Sequence, residues 1–374
     1  MSYHGRFEQA KQPKQPGKKK GLKIFLIVIA VILVLLLILA GAAYLYLQSK
    51  LKKMNIIELP KDTYAYTEPT DEVTRPPETG AAETTEATTE ATVPKMTADD
   101  IVNILFVGQA ARAGEEETMA DSTMLISINT YTKEVTCMSI LRDSFVKLPD
   151  YKGHQCGRAK FTVCYNLGHM WGDTAGAMEM TNICLKDNFG VEVDYNVEIS
   201  FDSFIKMIDY IDGIDIELTQ AEADYLNKDT LYVKRTIEPG VQRLQGMEAL
   251  SYARMRKAAG DSESDIKRTE RQRKVVEALL EKFRYRSIAD LNKWIDILLP
   301  MVSTTMTPTD VTKLAARVLP IFSELKIKGA TVPMEGWGDM VDIYKDGQIH
   351  SVMRFDTAKE KKLIRAITEA EVSD

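Results

Sequence analysis

Arginines are concentrated in residues 252–273, which read YARMRKAAGDSESDIKRTERQR. Arg254 and Arg256 lie two residues apart, so in an extended segment both side chains leave the same face. Arg268 and Arg271 lie three apart at the start of a segment whose apolar residues recur at helical spacing, so they share one face near a helix N-terminus. Guanidinium groups donate paired hydrogen bonds to phosphate oxygens, and the helix N-terminus adds a positive field. The stretch therefore predicts a polyphosphate site.

A solvated surface helix is the simpler interpretation of the same arginines. Arg-rich helix starts commonly form ion pairs between residues four apart, and Glu270 and Lys274 have that spacing. Spacing alone leaves both interpretations open, and the rest of the chain has to decide between them.

The N-terminal part of the chain predicts a membrane anchor. Residues 1–23 are basic, and residues 24–47 form an apolar run without a charge. About 20 such residues span a bilayer, and the richer positive charge before the run places the N-terminus in the cytoplasm. We therefore predict a basic cytoplasmic tail (1–23) and a single transmembrane helix (24–47), with the main domain outside the cell in a Gram-positive-type envelope.

The rest of the chain divides into a stalk and one domain. Residues 48–96 are predicted to be an acidic stalk, because they include the Thr- and Glu-rich run ETGAAETTEATTEATVP and lack apolar periodicity. No later stretch has linker composition, so residues 97–374 are expected to fold as one domain. The net charge of −6 argues against nucleic acid as a partner.

The four cysteines all lie in the predicted outer domain, where disulfides are permitted. Pairing cannot be deduced from sequence, and we suggest a Cys156–Cys184 bridge. Cysteine and histidine spacings typical of a zinc site are missing from the sequence, so we do not expect one.

Strand-like and helix-like segments alternate in the outer domain, which predicts a layered α/β fold. Strands are predicted at 101–107, 123–128, 135–140, 193–199 and 214–218, and helices at 161–165, 174–189, 201–211, 288–299, 308–318 and 321–325. Gly190 is expected to end the second helix, and residues 343–355 to form a hairpin before a charged C-terminal helix. Arg142 and Asp143 directly follow the third strand; without further context they would be a surface turn.

Several motifs, in order, resemble the LytR–CpsA–Psr (LCP) family. They are NILFVG, ADSTMLISIN, SILRDS, a Lys160-Phe-Thr-x-x-Tyr segment, NFGVEVDYNVEISFDSF, IDGIDIELTQAEADYLN, LQGMEALSYARMR and SDIKRTERQRKV, and together they cover residues 100–285. The resemblance implies a layered α/β/α domain with a central mixed sheet and a long apolar pocket for a polyprenyl chain. It also implies a Mg²⁺-dependent transferase that uses membrane lipid. Such an enzyme moves a glycopolymer, such as teichoic acid or capsule polysaccharide, from undecaprenyl pyrophosphate to a peptidoglycan hydroxyl as a phosphodiester.

The resemblance also assigns the site. It places catalytic roles on Arg142, Asp143 and Arg254, and it matches Asp121 to a metal-binding aspartate. Its pyrophosphate-binding residues correspond to Arg112, Arg142, Arg254, Arg256, Arg268, Arg271 and Gln272. An arginine ring with a hard cation would stabilise negative charge where it develops on the leaving phosphate.

Two positions depart from the family pattern. Ala110 stands where the family has its second metal aspartate, and Met119 where it usually has an arginine. Losing one carboxylate weakens a metal site that has few protein ligands. The acids at 115–117 are open to two interpretations, a substitute ligand or solvated surface acids. These departures motivate an alternative function, a catalytically weak polyprenyl-phosphate-binding scaffold or regulator of envelope assembly.

Two further questions stay open at this stage. Transcription attenuation is disfavoured, because a 23-residue cytoplasmic tail is too short for a folded DNA-binding domain. The sequence identifies no general base: His154 and His169 are available, and the Arg142–Asp143 pair is no better supported.

Overall fold

The computed structural model describes residues 46, 48–60, 96–109, 120–256, 258, 264–284, 294, 296–334, 336–345 and 348–369. The predicted tail, nearly all of the predicted transmembrane helix and most of the predicted stalk lie outside these ranges. No helix in the described ranges is both long and apolar enough to cross a membrane. Contacts divide the chain into two units, Met1–Lys52 and Lys53–Asp374. In the first unit the described residues include a helical stretch at 46 and 48–51.

A seven-stranded mixed sheet forms the centre of the second unit. Its strands, in spatial order, are β1 (Asn55–Ile56), β10 (Val302–Thr304), β7 (Tyr195–Ser200), β2 (Ile101–Gln109), β3 (Ala120–Asn129), β4 (Glu134–Ile140) and β11 (Lys326–Val332). β3 is antiparallel to both β2 and β4, whereas β2 pairs with β7, and β4 with β11, in parallel. The predicted α/β fold with a central mixed sheet is confirmed.

Helices cover both faces of this sheet. They are α1 (Phe161–Phe189), α2 (Phe201–Tyr210), α3 (Gln220–Lys228), α4 (Gly246–Arg254), α5 (Ser264–Arg284), α6 (Pro308–Val318) and α7 (Thr357–Thr368). Because side chains alternate along a strand, Leu105 and Val107 of β2 pack into a core with α1 and α7, while Phe106 packs into a second core with Val276 of α5. The sheet therefore lies between two helical layers, as predicted.

Smaller sheets complete the unit. β8 (Ile214–Leu218) and β9 (Gly240–Leu244) are antiparallel and share a third core with α2, α3 and α4. β5 (Phe145–Lys147) pairs with β6 (Arg158–Lys160). β12 (Gly338–Lys345) and β13 (Gln348–Phe355) form the predicted C-terminal hairpin, which is longer than the sequence indicated.

Four details differ from the sequence-based expectation. Asn55 and Ile56, which the sequence placed in the stalk, form β1 and pair with β10, so the central sheet includes residues before 97. The helices predicted at 161–165 and 174–189 are one element, α1, bent at Gly172 and Asp173, and it ends at Gly190 with φ 72° as expected. Residues 319–324 form a 3₁₀ helix with Pro320 in its first turn, in place of an α-helix. The suggested Cys156–Cys184 bridge is wrong in this structure: both thiols are free, with Cys184 fully buried inside α1.

Candidate functional site

The sheet topology brings the start of β3 next to the end of β4. Because these strands are antiparallel, Asp121 at the start of β3 lies at the same edge as Arg142 and Asp143, which follow β4. Helix α5 contacts β4 and β11 and brings its N-terminal turns to this edge. Three segments that are distant in sequence therefore place charged side chains together.

An apolar cavity of about 360 Å³ lies between the sheet and helices α2, α4 and α5. It extends along α5 from Arg268 to Phe283, which corresponds to about 22 Å at 1.5 Å per helical residue. Toward the C-terminal end of α5 its lining is apolar, with Leu279, Leu280 and Phe283. Its polar lining consists of Asp121, Ser122, Arg254, Arg256, Arg268 and Gln272. The cavity is thus apolar along most of its length and cationic where α5 begins.

A second cavity, of about 600 Å³, shares a wall with the first and has a larger polar share in its lining, so we call it the polar cavity. The shared residues are Asp121, Ser122, Arg268 and Gln272. Its remaining lining includes Arg142, Asp143 and Asp265, together with residues of the β12–β13 hairpin. An elongated ligand with an apolar chain and a charged head is therefore able to pass from the apolar cavity to the polar one.

A cluster of charged side chains lines the polar cavity. Lys160 Nζ lies 2.7 Å from Asp143 Oδ1, and Arg142 Nε lies 3.8 Å from an oxygen of Asp143 and 3.8 Å from one of Asp265. Burial raises the pKa of Asp265, and the neighbouring Asp143 raises it further. Burial also acts on Asp143, but the neighbouring Asp265 and the positive charges of Lys160 and Arg142 outweigh burial and hold its pKa below the ordinary value. The two carboxyls therefore differ in proton affinity.

Arg268 and Arg142 carry unused hydrogen-bonding capacity in this cluster. Arg268 is 4% exposed and its Nη2 lies 3.6 Å from Asp265 Oδ1. The Nε groups of Arg268 and Arg142 are buried and make no hydrogen bond within the described residues. A buried N–H donor without an acceptor costs folding free energy, and the oxygens of a bound anion would accept from it. These two guanidinium groups are therefore suited to bind an anion.

Arg254 and Arg256 also line the apolar cavity, but the local structure differs from the extended segment that the sequence predicted. Arg254 is the last residue of α4, whereas Met255 and Arg256 lie beyond the end of the helix. The Arg254 guanidinium lies over the Phe201 ring, 5.0 Å from its centroid, and its Nη1 donates to the Tyr232 hydroxyl at 3.3 Å. Both side chains are exposed enough to reach a ligand.

Arg271, predicted to bind pyrophosphate, lines neither cavity. Its Nε donates to Glu222 Oε1 at 2.9 Å, and both side chains are almost fully buried. Its Nη1 donates to the Met255 carbonyl at 3.2 Å, directly between Arg254 and Arg256. The structure therefore places Arg271 behind the site, where it holds the segment that carries two other arginines. Gln272, the next residue, does line both cavities, and its Nε2 lies 3.5 Å from the Asp121 carbonyl.

The other residues that the sequence singled out either lie outside the described residues or line neither cavity. Arg112, Ala110, Met119 and the acids at 115–117 lie outside the described residues. His154 stacks on Trp171 with ring centroids 4.2 Å apart, and neither it nor His169 lines either cavity.

Sequence reasoning missed Asp265 as a member of the site and gave Lys160 no role. Asp265 lies three residues before Arg268, near the α5 N-terminus, within the motif that carries the arginines. This position within the arginine motif is the sequence feature that could have identified Asp265 as a site residue.

The implied magnesium ion has one clear candidate ligand in the described structure. Asp121 lies on the wall that both cavities share, beside the Ser122 hydroxyl. No group of three or more His, Cys, Asp or Glu side chains suited to a metal occurs within the described ranges. One carboxylate completed by substrate phosphates and water is a common magnesium arrangement, so the residues fit the ion.

Comparison with known proteins identifies the family. The LytR_cpsA_psr family profile matches residues 73–362, and the chain belongs to this family. Regulatory protein MsrR of Staphylococcus aureus (strain COL) is 28% identical over 271 residues, which cover 71% of this chain and 74% of that protein. The polyisoprenyl-teichoic acid–peptidoglycan teichoic acid transferase TagU of Oceanobacillus iheyensis is 28% identical over 261 residues, covering 68% of this chain and 74% of TagU.

The fold is also found in a solved structure of the LytR-CPS2A-psr family protein YwtF (TagT) with bound octaprenyl pyrophosphate lipid. The TM-score is 0.51 at 20% sequence identity. This similarity extends the family assignment to the three-dimensional fold.

Proposed function

We propose that this protein is a transferase that moves a glycopolymer from a polyprenyl pyrophosphate carrier to peptidoglycan and forms a phosphodiester. The observation that carries the proposal is the continuity of an apolar cavity with an arginine-lined polar one, because this shape matches a long apolar chain on a pyrophosphate. Family membership supports it, as do the name of TagU and the lipid bound to TagT.

The reaction breaks the pyrophosphate link. An acceptor oxygen attacks the phosphorus that carries the glycan, and polyprenyl phosphate leaves with increased negative charge. Arg254, Arg256 and Arg268 lie where the chain-bearing phosphate meets the apolar cavity, and Arg142 lies on the far side of the shared wall. Fixed cations at these points stabilise charge as it develops, which lowers the barrier. Arg112 remains a predicted further pyrophosphate ligand.

Asp121 would hold a magnesium ion beside the pyrophosphate. When bound, the ion would neutralise part of the negative charge on the phosphates. Because Ala110 removes one carboxylate that the family uses, we expect weaker magnesium affinity than a two-aspartate site provides.

The finer assignments follow from the sequence. We propose undecaprenyl pyrophosphate as the carrier, and teichoic acid or a capsule-type polysaccharide as the glycopolymer. The transmembrane helix at 24–47 would anchor the chain with its N-terminus in the cytoplasm.

The test is donor binding and transfer by the full-length chain in detergent micelles. The substrates are a polyprenyl-pyrophosphate-linked glycan labelled in the sugar, and peptidoglycan. Arg268→Ala should abolish both binding and transfer. Arg243→Ala is the matched control, because Arg243 lines neither cavity and pairs at the surface with Asp212 and Asp215. Wild-type transfer that survives Arg268→Ala would refute the proposal.

A weak polyprenyl-phosphate-binding scaffold is the second candidate, and the residues at 110 and 119 favour it. In that case the wild-type chain binds the donor through the same arginines but leaves peptidoglycan unlabelled at every magnesium concentration.

A further inference from the structure

The C-terminal hairpin forms the outer wall of the polar cavity. Gly338, Asp339 and Met340 of β12 and Met353 of β13 line it, as do Arg142, Asp143 and Asp265. The hairpin is attached to the segment that follows β4: the Met353 backbone N–H donates to the Asp143 carbonyl at 2.8 Å, and Met353 forms a β-bridge with Ser144. The cavity is therefore bounded by the segment after β4, which carries Arg142 and Asp143, and by the β12–β13 hairpin. The proposed donor site assigns no role to the hairpin.

In-line displacement decides which cavity the acceptor uses. At phosphorus, the attacking oxygen and the leaving oxygen lie roughly opposite one another. The leaving polyprenyl phosphate belongs with the apolar cavity, so the attacking hydroxyl has to approach from the other side of the shared wall. That side is the polar cavity, which is the larger of the two, about 600 Å³ against about 360 Å³.

We propose that the polar cavity is the acceptor subsite, that it takes a sugar hydroxyl of a glycan strand against the Met340–Met353 wall, and that Asp265 receives the hydroxyl proton. This inference rests on the proposed function and adds the second substrate's binding place. In the step, the acceptor O–H bond and the phosphorus–oxygen bond to polyprenyl phosphate break. A new oxygen–phosphorus bond forms, and the lipid phosphate leaves with the electron pair.

The methionine side chains of the hairpin wall are suited to contact a sugar. Met340 and Met353 are cross-strand partners in the hairpin register, so their side chains lie on the same face. Met340 is 53% exposed, which leaves its flexible thioether available to pack on the apolar face of a sugar ring. The Asp265 carboxylate, which also lines the cavity, provides an acceptor for hydroxyl groups.

Asp265 is the acid in this cavity best placed to take a proton. Asp121 is reserved for the metal, and Asp143 is bound to Lys160 at 2.7 Å, which favours its ionised form. The charged groups that face Asp265 are Asp143 and Arg142 from the segment after β4, together with Arg268 of its own helix. Burial raises the pKa of Asp265, and the neighbouring Asp143 raises it further. Asp265 is therefore a stronger base than an exposed aspartate.

Methionine oxidation footprinting of the wild-type full-length chain tests the subsite without altering the fold. Dilute hydrogen peroxide oxidises exposed methionines, and peptide mass spectrometry reads each one. A soluble peptidoglycan glycan fragment should slow the oxidation of Met340 several-fold. Met170, which is 68% exposed and lines neither cavity, is the internal control and should be unaffected. Equal protection of both, or of neither, would overturn the proposal.

A cavity-filling variant gives the kinetic test. Met340→Trp should lower transfer at limiting acceptor by about tenfold, equivalent to roughly 1.4 kcal/mol, while the donor dissociation constant stays within about twofold. Tyr344→Trp is the matched control, since Tyr344 is 77% exposed on the same strand and lines neither cavity. Unchanged transfer by Met340→Trp would overturn the subsite alone, and so would a parallel loss of donor affinity. A wild-type chain that binds donor without transferring it would overturn the proposed function as well.

Discussion

The buried ion pair between Arg271 and Glu222 leads to a sharp prediction, because Arg268 in the same motif has a different environment. Arg271 lies 2.9 Å from Glu222, and the two side chains are 5% and 6% exposed. Arg268 is equally buried, but its carboxylate contact is Asp265, three residues earlier in the same helix, at 3.6 Å. Arg271 should therefore support the fold, whereas Arg268 should serve the ligand.

The expected magnitudes follow from these contacts. Arg271→Ala leaves the Glu222 carboxylate buried without its cation, which should cost about 3–5 kcal/mol of unfolding free energy. At about 2–4 °C per kcal/mol for a domain of this size, the melting temperature should fall by roughly 6–20 °C. Arg268→Ala loses the long pair with Asp265 and the attraction of Asp121 but relieves repulsion from Arg142 and Arg256, so it should change stability by less than about 1 kcal/mol.

Thermal unfolding followed by circular dichroism, together with donor binding, checks both variants in the full-length chain. Arg268→Ala should keep its melting temperature and lose the polyprenyl pyrophosphate ligand. Arg271→Ala should lose stability first and retain measurable binding at temperatures where it is folded. The double variant Glu222→Gln with Arg271→Met should be more stable than the single variant Arg271→Met, because it leaves no unpaired buried charge. The comparison isolates the interaction between the two side chains. An Arg271→Ala protein as stable as the wild type would refute this reasoning.

Three further predictions concern separate parts of the molecule. Val276→Trp fills the apolar cavity and should abolish binding of polyprenyl pyrophosphate while leaving that of inorganic pyrophosphate, as calorimetry would show; equal loss of both would contradict it. Asp265→Asn should remove the acid limb of the transfer rate, which in the wild type falls as pH drops through a raised Asp265 pKa; an unchanged pH–rate profile would exclude Asp265 as the base. Burial also raises the pKa of Glu360, so the ionised carboxylate destabilises the fold above that pKa and this cost disappears as pH falls. Glu360→Gln should therefore be more stable than the wild type at neutral pH, with a difference that shrinks toward pH 4.5 in denaturant titrations; a pH-independent difference would contradict it.

Much of the fold was predictable because its signals are local. Apolar periodicity identified β2, β3 and β4, and Gly190 ended α1 at the expected residue. The sequence predicts two helices where the structure has one bent helix, with Gly172 and Asp173 in non-helical backbone geometry at the bend. The helix resumes because its halves pack closely: a Cβ on Gly168 would lie 2.5 Å from the Gly176 carbonyl oxygen. Such a contact between residues eight apart is not visible in helix propensities.

The site was only partly predictable, because the rotation of α5 is decided by residues far away in sequence. Arg268 and Arg271 are equivalent in spacing, yet Glu222, 49 residues before Arg271, captures only Arg271. The hairpin wall of the polar cavity comes from residues more than 60 positions after Arg268, and nothing local connects the two. Tertiary packing therefore selects which motif residues face a ligand.

The identity of the lipid product tests the central claim most directly. The full-length chain is incubated with a polyprenyl-pyrophosphate-linked glycan and peptidoglycan, and the released lipid is resolved by mass spectrometry. Phosphotransfer predicts polyprenyl monophosphate in a one-to-one ratio with glycan joined to peptidoglycan through phosphate. Release of polyprenyl pyrophosphate with a phosphate-free glycan linkage would contradict the account, and so would the absence of any transfer.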